Sequence, residues 1–342
     1  MSSALALAQN NLLSPTVLCF VLGAIATFLR SDLKIPEAIY SLFTIYLLLA
    51  IGLKGGAELS HGPLLDVWKP LLSALLLGII TPLVAIGFAR AFRIGLADAA
   101  ALGAHYGSVS VVTFIAVRGF LDSLGIPVGS YVTSIAVIME IPGILVSLLV
   151  AHVFLKPDHK IDVSLSPNSS KARPLGAVIH EILSGRSLLL LLGGLIIGYL
   201  SGEKGYSRVD PLFGPPFQGV VALFLLEMGM LAAKRARELK RLGRNVFVFI
   251  LAFGTCVPLV NGCLGLLLGH FAGMSVGSAT VLATLAASAS YIAAPAAVRL
   301  ALPEANPGLY LNAALTVTFP FNLAVGIPLY YSLSRYINEV WS

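Results

Sequence analysis

Two short serine motifs carry the most distinctive chemistry in this sequence. Residues 101–110 read Ala-Leu-Gly-Ala-His-Tyr-Gly-Ser-Val-Ser, and residues 285–295 read Leu-Ala-Ala-Ser-Ala-Ser-Tyr-Ile-Ala-Ala-Pro. Each sets a Ser-x-Ser among small residues inside an apolar stretch. Serine hydroxyls donate to an oxyanion, and their lone pairs can help hold a cation such as Na+. Gly103 and Gly107 in the first motif, and Pro295 in the second, let a helix break, and the amide end of a half-helix attracts an anion. Ser110 and Ser290 on two crossing helices would therefore line one small oxygen-rich cavity. The plainer alternative is that small residues let helices pack closely and the hydroxyls bond their own backbone carbonyls.

Glu140 is the next candidate. It is the only charged residue between Asp122 and Lys156 and stands two residues before Pro142. A carboxylate deep in an apolar segment is costly unless it faces a polar interior, so it reads as a cation ligand or proton carrier. A structural acceptor for a neighbouring helix is the alternative. Thr318, two residues before Pro320, is its counterpart and offers a neutral oxygen. His105 could donate to substrate or sense pH, or be a satisfied core histidine. Glu227, Asn261, Asn312 and Asn322 read as hydrogen-bond partners between helices, and Asp98 and Ser278 as N-caps. Cys19, Cys256 and Cys263 lack any metal-ligand or CxxC spacing.

Helices crossing a membrane are what must position these groups. Of the 342 residues, 57% are hydrophobic and 11% charged, whereas about a quarter of residues are charged in a soluble domain. No Asp, Glu, Lys or Arg occurs between Arg244 and Arg299, a run that holds two spans of about 20 residues. Apolar stretches predict ten spans, at 14–29, 37–53, 70–89, 97–117, 129–154, 187–202, 217–233, 246–269, 277–298 and 309–333. Backbone groups in lipid must be satisfied internally, so these are helices. The first stretch lacks the charged front of a secretory signal and is expected to stay as a span. With the N-terminus outside, Lys54, Lys69, Arg118, Lys204, Arg208 and Arg335 are external and the other basic residues cytoplasmic. That imbalance predicts both termini outside the plasma (inner) membrane. The net charge of +6 sits in loops, not on a basic face, so nucleic acid is excluded as a partner.

Landmarks recur about 180 residues apart in the sequence: Gly107 and Ala287, Ser108 and Ser288, Ser110 and Ser290, Pro127 and Pro307. Ala-Val-Arg at 116–118 returns at 297–299, and Pro142 returns as Pro320. Two copies of five spans must have opposite orientation, the inverted repeat of secondary transporters, whose sites lie near the midplane where broken helices meet. The fold expected is an all-α polytopic membrane protein of ten transmembrane helices in two inverted five-helix repeats, with discontinuous helices four and nine crossing near the midplane. The repeats are residues 1–155 and 187–342, joined by a cytoplasmic linker at 156–186.

Longer motifs carry a resemblance to a known family. Ile51-Gly52-Leu53-Lys54-Gly55-Gly56, Met139-Glu140-Ile141-Pro142, Met228-Gly229-Met230, and the segment 286–299 continuing through Leu302-Pro303-Glu304-Ala305-Asn306-Pro307 resemble the sodium-dependent bicarbonate symporter (SbtA) family. The resemblance implies ten spans, a homotrimer, and bicarbonate and Na+ bound between a core and a gate domain. It places the anion at Gly107, Ser108, Val109 and Ser110 and at Ser288, Ala289 and Ser290, with Tyr291 beside them. The oxygens of Glu140, Thr113, Thr318, Ser110 and Ser290 are the candidate Na+ ligands. The resemblance also implies a PII-like regulator on the cytoplasmic face, where the polar linker and the basic stretch 234–244 lie, although that stretch equally suits anionic lipid. The chain departs from the family pattern at Val111 and Val112 (Gly-Ser in the family), Tyr291 (Asp), Ala293 and Ala294 (Ser and Gly) and Glu140 (Asp).

The function expected is Na+-coupled symport of bicarbonate or a similar small anion by alternating access. Na+- or H+-coupled transport of a small organic carboxylate is the alternative, and a receptor without transport comes from another class. No cofactor is expected beyond the coupling ion. Enzymatic activity is not expected either: a hydrolase of His105, Ser108 and Glu140 would leave the mirrored serines without purpose.

Overall fold

The computed structural model describes residues 13–60, 67–155, 180, 184–239, 243–291 and 294–341. Most of the linker therefore lies outside the described residues, and helices are the only regular structure among those described. The helices are α1 (Pro15–Phe28), α2 (Glu37–Leu59), α3 (Trp68–Ala91), α4 (Leu96–Gly107), α5 (Val111–Ser123), α6 (Val132–Glu140) and α7 (Pro142–Phe154). After the linker come α8 (Arg186–Phe213), α9 (Phe217–Leu239), α10 (Arg244–Phe271), α11 (Val276–Ala286) and α12 (Ala294–Ala301). The last, α13, starts at Pro307–Asn312 and passes through π-helical segments Ala313–Thr318 and Asn322–Gly326 into Ile327–Trp341. Among the described residues, eight helical stretches are long and apolar enough to cross a membrane, counting α4 with α5 and α6 with α7 as one each; α1 and α11 are apolar but shorter.

Backbone chemistry sets the ends and breaks. Ser14 caps α1, accepting from the Val17 amide, with Pro15 following where its missing N–H is harmless. Pro142 supplies no amide to the turn before it, and α6 gives way to α7 there. The sixth expected span continues past residue 202, because α8 bends at Gly202 (φ 60°) and resumes to Phe213. The third and eighth spans end alike: Ile94 N–H donates to Ala89 O at 3.1 Å and Met274 N–H to Gly269 O at 3.0 Å. The left-handed residues of those ends are Arg93 (φ 61°) and Gly273 (φ 73°).

The expected caps need correcting. Gly95 and Ser275 occupy the N-cap positions of α4 and α11. Asp98 Oδ1 instead accepts the Asn306 amide at 2.7 Å, and Ser278 Oγ accepts the Gly129 amide at 2.8 Å. Each thus fastens the chain ahead of a helix from the other half.

Small residues bring the helices together where lipid gives no hydrophobic drive. In one group, α2 packs on α8 and α1 on α9. A Cβ on Gly198 would stand 2.2 Å from Leu53 O, and one on Gly229 would stand 1.9 Å from Phe20 O. In the second group α3 packs on α4 and α7, and α10 on α11 and α13, with Gly265 against Ala283. A cavity of about 140 Å³ lies between the groups, lined by Lys54 and Glu58 of α2 and Arg118 and Asp122 of α5. Arg118 reaches across it to Glu58 at 3.9 Å.

Candidate functional site

Both serine motifs are helix breaks. Ser108 (φ −100°, ψ 154°) and Ser110 (φ −96°, ψ 112°) are extended between α4 and α5, and residues 288–290 carry no helix between α11 and α12. The two breaks touch. The Ser110 amide donates to Ser288 Oγ at 2.8 Å, and the Ser290 amide donates to the His105 carbonyl at 2.7 Å. Ser288 Oγ passes its own proton to Leu285 O at 2.8 Å.

The outer serine of each pair caps the half-helix that follows. Ser110 Oγ accepts from the Thr113 amide at 3.2 Å, and Ser290 Oγ accepts from the Ala294 amide at 3.4 Å. Because the oxygens do the capping, each hydroxyl proton stays available to donate. The start of each half-helix adds about half a positive charge. The two capped helix starts therefore flank a contact between opposite halves of the chain.

Glycine brings the third break against the first. A Cβ on Gly143 would stand 2.0 Å from Gly107 O, and one on Gly107 would stand 2.7 Å from Gly143 Cα and Pro82 Cβ. The Glu140–Gly143 segment therefore abuts the end of α4. Glu140 is 2% exposed, and its Oε2 has no hydrogen-bond partner among the described residues. Ser108 Oγ and the Tyr291 hydroxyl are also buried without a formed hydrogen bond among the described residues, although the Tyr291 hydroxyl approaches the Ser110 side chain. The Tyr291 ring meets Phe319 edge-on at 6.0 Å.

A sequence profile of the Na+-dependent bicarbonate transporter superfamily matches residues 15–335. This chain belongs to that superfamily. Among curated proteins, none matches it in sequence. Superfamily membership and the eight apolar helices make it a multi-pass membrane protein of a transporter family.

The remaining candidates of this superfamily member divide by what they touch. Val109, Ala289 and Thr113 are buried at the breaks. Thr318 Oγ1 donates to Gly254 O at 2.8 Å and lies 2.6 Å from the Tyr106 hydroxyl, so Tyr106 is the donor of that second bond. Asn322 Nδ2 bonds Ala287 O at 2.8 Å and ties α13 to the end of α11. Asn312 departs from expectation: it bonds Gly308 O of its own helix at 2.6 Å. Asn261 also departs, its buried amide making no hydrogen bond among the described residues. His105 Nδ1 bonds Ala101 O at 2.7 Å, and the ring stacks on Tyr310 at 4.3 Å. That bond assigns the proton to Nδ1 and leaves Nε2, which has no partner among the described residues, as a lone pair unsuited to an anion. Sequence reasoning passed over Tyr106 and Gly143, whose only signals are adjacency to Gly107 and to Pro142.

Proposed function

We propose that this chain carries bicarbonate in symport with Na+, by alternating access of α3–α7 and α10–α13 against α1, α2, α8 and α9. The observation that carries this reading is the contact of two broken helices from opposite halves of the chain, each followed by a half-helix whose first amides are capped by Ser110 or Ser290. Bicarbonate is small and anionic and takes both capping hydroxyls as donors. Na+ takes oxygens: the Glu140 carboxylate, the Ser110, Thr113, Ser290 and Thr318 hydroxyls, and carbonyls freed at the breaks.

The packing supports two inverted five-helix repeats, 1–155 and 187–342. A twofold relating α1 to α8 and α2 to α9 exchanges the pairing of α1 with α9 for that of α8 with α2. The matched ends at Arg93 and Gly273 obey the same relation. We extend the reading to a plasma-membrane homotrimer with both termini outside, regulated by a PII-like protein on the cytoplasmic face. The test is labelled-bicarbonate uptake into proteoliposomes, with small carboxylates as competitors. Ser110→Ala and Ser290→Ala should each lower uptake at least tenfold. Unchanged uptake in both variants would defeat the site, and carboxylate competition would reassign the cargo.

A further inference from the structure

A second polar cavity, which shares no lining residue with the serine breaks, lies where the last turn of α1 meets α9. It measures about 410 Å³ and is lined by Thr27, Arg30, Lys34, Glu227, Lys234 and Arg237, among others. That volume falls in the range of about 300–1,000 Å³ typical of small-ligand sites. Four cations share the cavity with one carboxylate, and Glu227 lies within electrostatic range of Lys234. The carbonyl end of α1 adds about half a negative charge, too little to balance the remainder. The cavity is therefore strongly attractive to an anion.

Two of the cations are held in place. Arg237 donates to the Thr27 carbonyl and lies over the Phe28 ring. Arg30 occupies the left-handed position (φ 57°) that ends α1, with Ser31 N–H donating to Ala26 O at 2.9 Å. Glycine is the usual residue at that position, so an arginine there accepts backbone strain while placing a charge on the cavity wall. The adjoining face of α1 is apolar and outward: Leu22, Ile25 and Leu29 are all exposed. A basic cavity at the end of an apolar stripe on a membrane helix matches the two-part shape of a phospholipid, and basic pockets between membrane helices bind acidic headgroups.

We propose that this cavity holds the phosphate headgroup of an anionic phospholipid, with its acyl chains along the α1 stripe. A free phosphate shares the headgroup chemistry but has no use for the stripe. The site depends neither on the transport reading nor on the orientation of the chain.

The test is native mass spectrometry and thermal unfolding of the full-length detergent-solubilised protein, titrated with phosphatidylglycerol, phosphatidylcholine or inorganic phosphate. The wild type should prefer phosphatidylglycerol. At about 1 kcal/mol per basic side chain, the triple variant Arg30→Gly, Lys34→Gln, Lys234→Gln should lose about a hundredfold of that preference. Arg30→Gly alone removes one charge and relieves the left-handed backbone, so it folds at least as well and should lose about fivefold. An unchanged preference in both variants overturns the proposal. So does equal stabilisation of the wild type by inorganic phosphate, which would make the site one for a soluble anion.

Discussion

Three serines at the crossing look alike in sequence and differ in what they hold. Ser288 Oγ takes the buried Ser110 amide, so Ser288→Ala strands that amide and should cost about 1–3 kcal/mol of stability, read as a lower unfolding midpoint. Ser110 and Ser290 cap half-helices through their oxygens, so their alanine variants should lose about 1 kcal/mol of stability but most of the uptake. Equal effects of all three substitutions on stability and uptake would show that the hydroxyls serve packing alone. Glu140→Gln keeps the shape and removes the charge. Folded yield should hold while the Na+ concentration for half-maximal uptake rises at least tenfold; an unchanged Na+ response would remove Glu140 from the cation site. The residue types here were legible in the sequence, because a polar group in an apolar run stands out. Their partners were not: nothing in the chain order says that Thr318 is committed to Tyr106 and Gly254, or that Asn312 turns to its own helix.

The breaks depend on what backbones can approach. Gly143 lies so close to Gly107 that a methyl group has no room, so Gly143→Ala should push α7 off α4, lowering the unfolding midpoint and abolishing uptake. Gly87→Ala is the control: apart from its own stretch of helix, no atom of the described residues lies within 4 Å of the added carbon, and alanine favours a helix by up to about 1 kcal/mol, so stability should hold or rise. A Gly143→Ala protein as stable and active as the control would mean that the close contact is unimportant. Helix positions were readable from apolar run length, and two of the three breaks from Ser-x-Ser with glycine or proline. Helix starts were less readable. Asp98 and Ser278 have cap-forming side chains but sit inside the first turn, and Gly95, which precedes it, announces nothing. The bend at Gly202 likewise hid the length of α8.

At the scale of the whole molecule, two helix groups face each other across a cavity bridged by Arg118 and Glu58. Alternating access requires that bridge to open and close. A cross-linker joining cysteines placed at 58 and 118, in a background lacking Cys19, Cys256 and Cys263, should stop uptake and leave bicarbonate binding from one side; uninterrupted uptake would mean that the groups do not move there. The 180-residue echoes are legible in the sequence, but which helices form which group rests on close approaches such as Gly198 to Leu53, which only folding reveals. The most direct measurement of the central claim is labelled-bicarbonate uptake into proteoliposomes of the wild-type protein, with an inward Na+ gradient or with K+ in its place. The account predicts uptake with Na+ and little with K+. Bicarbonate uptake indifferent to Na+, or none from folded protein, would contradict it.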